Sequence, residues 1–182
     1  MFILDAHCDS LSWKFAENIP LGKSAEGRQW DFAAIEGLNW VQVMAAFIDK
    51  ENRDEIKFND FLHLSARLHH ELTQNVQIKL IKNAADLAAI GEGQGVIFSL
   101  EGAEALEGDP DNIYKIYEQD ARILGLSWNN DNPFAGGSLG ADRGLSELGK
   151  EAVRITNKMP LALDGAHLSE KSLADVLNLS EK

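Results

Sequence analysis

Gly95-Val96-Ile97-Phe98-Ser99-Leu100-Glu101-Gly102 is a short, nearly unbroken run of apolar and small residues that stops at a carboxylate and a glycine. Such a run suits a strand covered on both faces, as in a parallel sheet, better than the in-and-out alternation of a sheet with one wet face. Four more runs of the same kind flank it: Phe2 to Ala6, Trp40 to Ile48, Ala121 to Trp128 and Pro160 to Asp164, with Gln77 to Ile81 as a short sixth candidate. Helical patterns lie between them. Phe58, Phe61, Leu62, Ser65, Leu68 and Leu72 share one face at i, i+3, i+4 spacing. Ala84 to Ile90 reads as a short helix ending at Gly91, residues 110–119 open on Pro110, and Ser146 to Asn157 and Ser169 to Leu177 complete the set. Strand and helix in alternation predict an α/β fold with a parallel sheet and covering helices.

In such folds the ligand site lies where loops leave the carboxyl ends of the strands. Three of these strands end in residue types that bind metals: Asp5-Ala6-His7-Cys8-Asp9, Glu101-Gly102 and Asp164-Gly165-Ala166-His167. His7 and Asp9 are two apart, so in an extended segment both side chains face one way and can grip one cation. An imidazole with a carboxylate suits zinc or a similar borderline metal. The plainer alternatives are a capped loop with a hydrogen-bonded histidine for His7 and Asp9, and a surface acid at a turn for Glu101. An acid at the end of a buried strand is costly, however, unless a cation pairs with it. The shared position of His7, Asp9, Glu101 and His167 at successive strand ends favours one site.

Other residues take a duller reading. His63, His69 and His70 are expected as solvated surface histidines, because His70-Glu71 lacks the second histidine of a His-Glu-x-x-His site. Cys8, on the opposite face from its neighbours, reads as a small packed residue without a histidine partner to activate it. Gly91, Gly93 and Gly95 precede a strand instead of opening a helix, which removes a phosphate-loop reading. Trp13, Trp30 and Trp40 are expected to pack rather than line the mouth of the site.

Composition bounds the function classes. With 182 residues one domain is expected. Seventeen Lys and Arg against 29 Asp and Glu give a net charge of -12, which repels nucleic-acid backbones and anionic membrane surfaces. The single cysteine allows no internal disulfide and fits a reducing compartment. No secretory leader and no apolar run of about 18 residues is legible, so a soluble cytoplasmic protein is expected.

Asp5-Ala6-His7-Cys8-Asp9, Leu100-Glu101-Gly102-Ala103, Gly144-Leu145-Ser146-Glu147-Leu148-Gly149-Lys150-Glu151 and Leu163-Asp164-Gly165-Ala166-His167-Leu168-Ser169, in that order, resemble the membrane (renal) dipeptidase family of zinc metallopeptidases. The segment from Ile113 through Tyr117 to Asp120-Ala121-Arg122 is also similar, with Asp120 where glycine is usual. The resemblance implies a TIM-type (β/α)8 barrel, of which residues 1–182 form a single, incomplete domain with about the first five strand-helix units. It implies two Zn2+ ions per complete site, His7 and Asp9 holding one, Glu101 bridging, and His167 holding the second. It implies hydrolysis of a dipeptide's peptide bond by a metal-activated hydroxide, often with tolerance for a D-residue at the carboxyl-terminal position. An eight-unit barrel needs about 250 residues, so the family's second metal histidine, its substrate-carboxylate arginine and its late acid are expected beyond Lys182. Ser127-Trp128-Asn129 stands where many members carry a histidine that contacts the scissile carbonyl. That contact is lost here or reassigned, with the Asn129 amide as the catalytic candidate. Two rivals remain: a related amidohydrolase acting on N-acyl amino acids, and an inactive partial barrel whose open sheet edges bind a partner or make a homo-oligomer.

Overall fold

The computed structural model describes residues 1–11, 19–28, 30–48 and 55–182. The apolar runs become strands β1 (Phe2–Asp5), β2 (Asn39–Phe47), β3 (Ile78–Leu80), β4 (Gln94–Glu101), β5 (Ala121–Gly125) and β6 (Ala162–Asp164). The amphipathic stretches become helices α1 (Phe58–Gln74), α2 (Ala84–Ala89), α3 (Asn112–Glu118), α4 (Glu147–Asn157) and α5 (Glu170–Leu179). Side chains set several of the helix starts. Ser146 Oγ accepts the Gly149 N–H, Ser169 Oγ accepts the Ser172 N–H, and Asn83 Oδ1 accepts from Ala85 and Asp86. Past the end of α2, Gly91 adopts φ +57, a left-handed conformation that a side chain would resist.

All six strands run parallel, in the order β1-β2-β4-β5-β6, with β3 against β4. β2 follows β4 along its whole length, from Trp40 opposite Gln94 to Phe47 opposite Glu101. The other edge of β4 is therefore shared: β3 takes Gln94 to Val96 and β5 takes Phe98 to Glu101. The short sixth strand is thus an addition to the five-strand path, which has the parallel strand-helix order of a partial TIM-type barrel. Along that path the register sets Phe47, Glu101, Gly125 and Asp164 in one row across the sheet.

One face of the sheet is sealed by helices. Met44, Ala46, Val96, Phe98, Leu100 and Leu124 meet Phe61, Leu64 and Leu68 of α1, Ile113 and Ile116 of α3, and Ala152 and Val153 of α4. The Phe61 and Phe98 rings stack at 5.5 Å. Each such fully buried side chain contributes roughly 1.5–3 kcal/mol. The same periodicity that made the helices legible thus fixes which strand residues face away from them, Glu101 included.

Three expectations change. β5 ends at Gly125 instead of reaching Trp128, because Leu126 O accepts the Asn132 Nδ2–H and the chain turns into the loop that precedes α4. α3 starts at Asn112, with Pro110 O accepting the Ile113 N–H before the first helical residue. His69 is not a solvated surface residue: its Nε2 lies 3.0 Å from Asp120 Oδ2 and its Nδ1 lies 2.8 Å from Ser65 O. Trp30 is buried edge-on to Phe32, and Trp40 packs on the core and donates to Gln42 Oε1, as expected, but both also line a cavity beside His7 and Asp9, which the sequence reading did not expect. Trp13 lies outside the described residues. Among the described residues no helix is long and apolar enough to cross a membrane.

Candidate metal centre

The geometry of the site begins with a bulge. β1 pairs Asp5 with Gln42, so an unbroken ladder would set His7 opposite Met44. Instead the Cys8 N–H donates to Val43 O and Cys8 O accepts the Ala45 N–H, which sets Cys8 opposite Met44. One extra residue has entered the β1 side, and everything after it is turned to the other face. Cys8 packs against the core, and His7 and Asp9 face the row that holds Glu101. Asp5 Oδ1 accepts the His7 N–H at 3.1 Å and braces the bulge.

His7 Nε2 lies 3.3 Å from Asp9 Oδ1 and 3.4 Å from Glu101 Oε2. One ligand atom from each of these three residues falls within 4.8 Å of the other two. On the far side of the same carboxylate, His167 Nε2 lies 3.2 Å from Glu101 Oε1. Each Glu101 oxygen therefore faces its own imidazole, and the structure brings all four expected ligands together. Asp9 Oδ1 is buried with the His7 ring at 3.3 Å as its ion-pair neighbour but without a well-aligned hydrogen bond, a cost that a coordinated cation removes. Nitrogen and carboxylate donors gathered in this way fit a zinc-like ion.

His167 reaches this position through an unusual backbone. Its φ is +63, the left-handed region that non-glycine residues seldom occupy. The loop after β5 holds it there. Ser127 Oγ and the Ser138 N–H both donate to His167 O, and Asp164 Oδ1 accepts the Ala166 N–H. Asn129 Oδ1 lies 3.0 Å from His167 Nδ1. Trp128 lies against Phe47 and tilts over the His167 ring, with centroids 5.1 Å and 6.2 Å away.

The field of the site is negative. Burial pushes the Glu101 carboxyl up to about 7; His7 opposes that rise, while Asp9 and Asp164 add to it. The Asp9 carboxylate against its ring raises the His7 pKa, partly offset by burial and supported by Glu101 and Asp164. No lysine or arginine has an ion pair with Glu101 among the described residues. Burial also pushes the Cys8 thiol up to about 11, so it is protonated at neutral pH and inert as a nucleophile.

Asp164 is the participant that sequence reasoning left out of the site. It sits one strand beyond Gly125 in the Glu101 row, and Gly125 adds no side chain to the row between the two acids. The signal was present, since Asp164 ends its strand as Glu101 does. The bulge had no such signal. A cavity of about 560 Å3 beside β1, lined by His7, Asp9, Arg28, Trp30 and Trp40 among others, opens next to these ligands.

The membrane dipeptidase family, peptidase family M19, matches residues 1–182. A metallopeptidase from Rhodobacter sphaeroides, solved with a phosphinate mimic of the dipeptide L-Ala-D-Ala, superposes with a TM-score of 0.86 at 20% identity, over 100% of this chain and 63% of that one. A dipeptidase of family M19 gives a TM-score of 0.83 at 22% identity over 99% and 60% of the two chains. At these identities the likeness is one of fold. An uncharacterised dipeptidase of Schizosaccharomyces pombe is 25% identical over 165 residues, 80% of this chain and 39% of that protein. The chain thus spans about two-fifths of the length of this relative and about three-fifths of the two solved chains.

Proposed function

The chain belongs to the membrane dipeptidase family, peptidase family M19, and on that premise we propose that it carries the binuclear zinc site of a metal-dependent dipeptidase. The observation that carries the reading is the Glu101 carboxylate, with one oxygen toward His7 and the other toward His167. His7 and Asp9 would hold one ion, His167 the other, and Glu101 both. When bound, the zinc pair supplies a water of lowered pKa and positive charge for the scissile carbonyl.

The chain's own residues do the rest. The bulge after β1 aims His7 and Asp9 at Glu101, whose side chain is only 11% exposed. The Phe47 and Trp128 rings shield the cluster on one side. The substrates we infer are short peptides, dipeptides with a D-residue at the carboxyl-terminal position among them. The cytoplasm is the expected setting, supported by the single, free cysteine.

Zinc titration of the metal-free chain, followed by assays with L-Ala-D-Ala, L-Ala-L-Ala and N-acetyl-alanine, tests the proposal. Uptake of about two zinc per chain is expected, with dipeptide cleavage once the remaining barrel units are supplied. Preference for N-acetyl-alanine would move the reading to an acyl-amino-acid amidohydrolase. A chain that takes up no zinc and self-associates through its sheet edges would overturn it.

A further inference from the structure

We propose that Asn129 is a positioning residue for the site, fixing both the tautomer and the ring orientation of His167. The inference rests on the metal reading above. An imidazole that offers Nε2 to a cation must carry its hydrogen on Nδ1, and that hydrogen needs an acceptor. Asn129 Oδ1, 3.0 Å from His167 Nδ1, is placed to be that acceptor. The opposite amide orientation would turn an NH2 toward Nδ1 and force the hydrogen onto Nε2. It would then point at Glu101 Oε1, 3.2 Å away, and close the ring to any metal.

Asn129 is itself seated independently of this bond. Its carbonyl oxygen accepts the Leu139 N–H at 2.7 Å, and the loop folds back so tightly that a Cβ at Gly137 would come within 2.5 Å of the same oxygen. The backbone of His167 is clamped separately, by Ser127 Oγ and the Ser138 N–H on its carbonyl. Backbone bonds therefore place the residue in its left-handed conformation. The Asn129 side chain decides which ring nitrogen faces Glu101. Its side-chain oxygen serves His167, whereas the transition-state contact expected of Asn129 from the sequence would be donated by its NH2 group and is a separate role.

The test uses the full chain and two variants, Asn129→Leu, which has similar size and no acceptor, and Asn129→Asp, which keeps one. Two-bond proton–nitrogen correlation spectra of the metal-free protein report the ring tautomers directly. Wild type is expected to carry the His167 hydrogen on Nδ1. Asn129→Leu is expected to lose that preference and to bind the weaker zinc equivalent 10–100-fold less tightly. The zinc held by His7 and Asp9 should be unaffected, and Asn129→Asp should restore both readouts. Finding the wild-type hydrogen on Nε2, or finding that Asn129→Leu binds both ions as wild type does, would overturn the proposal. If Asn129→Leu does not fold, the wild-type spectrum decides alone. Because that spectrum needs no metal, a failure of zinc uptake would sink the functional reading without being mistaken for a failure of this one.

Discussion

The two ends of β5 carry acid–imidazole clusters of similar make-up and opposite charge balance. Where the chain enters the strand, Asp120 meets His69 at 3.0 Å, Lys82 at 3.4 Å and Arg122 at 3.9 Å. Where the chain leaves it, Glu101 lies opposite Gly125, with Asp9 and Asp164 adding to its charge and two imidazoles as its ion-pair partners. The first cluster has more cations than acids around a single carboxylate and needs nothing further. The second gathers carboxylates in a half-buried place without a lysine or arginine, at a cost that folding alone does not offset. A closed ion cluster holds the fold together, whereas an open one is built for a cation.

Five measurements sharpen or break that contrast. Replacing Glu101 by Ala should weaken zinc binding by more than about 100-fold, beyond the usual effect of a supporting residue, whereas Asp120→Ala should leave zinc stoichiometry unchanged. Competition against a chelator measures both. Zinc at about 100 times its dissociation constant should stabilise the wild type by about 3 kcal/mol, seen as a rise in melting temperature of about 5–10 °C. The Glu101→Ala chain should show little of that rise.

In chelator at pH 8, Glu101→Gln should be more stable than wild type by on the order of 2 kcal/mol. The sign follows from the raised pKa: between its ordinary 4.5 and about 7 the folded chain holds a proton that the unfolded chain releases. The metal-free wild type therefore loses stability as pH rises through that window, and the glutamine variant should lack this part of the slope. A wild type that gains stability across the window would contradict the open-cluster view.

At the closed cluster the sign reverses. Asp120→Ala should cost about 1–2 kcal/mol, from lost ion pairs and from a φ of +69 that alanine tolerates poorly. Asp120→Gly should recover the conformational part, measurable by urea unfolding. The smallest effect is expected at Cys8, where serine should leave zinc stoichiometry unchanged. The wild-type thiol should react slowly with maleimide at pH 7, since burial holds it protonated.

The contrast between the clusters also marks how far the sequence could be read. Each of the five apolar runs announced its strand because a strand covered on both faces leaves no polar position to interrupt it. Glu101 and His167 were legible as candidate ligands because each terminates or follows such a run. His69 was misread because its partner Asp120 lies 51 positions away along the chain. Asp120 was noticed as a departure from glycine, but its left-handed φ, which explains why glycine is usual there, belongs to the folded loop. Gln77 to Ile81 was only a short candidate because just three of its residues pair with β4.

By itself the sequence determined the α/β class and the order of strands and helices and marked four candidate ligands, since these depend on local periodicity and on residues at strand ends. The tertiary structure decided which faces those ligands present. A bulge of one residue turns His7 and Asp9 inward, a missing side chain at Gly125 opens the row between Glu101 and Asp164, and a loop from β5 sets the His167 ring. Each depends on hydrogen bonds between segments distant along the chain, and no local pattern of polar and apolar residues encodes such a bond.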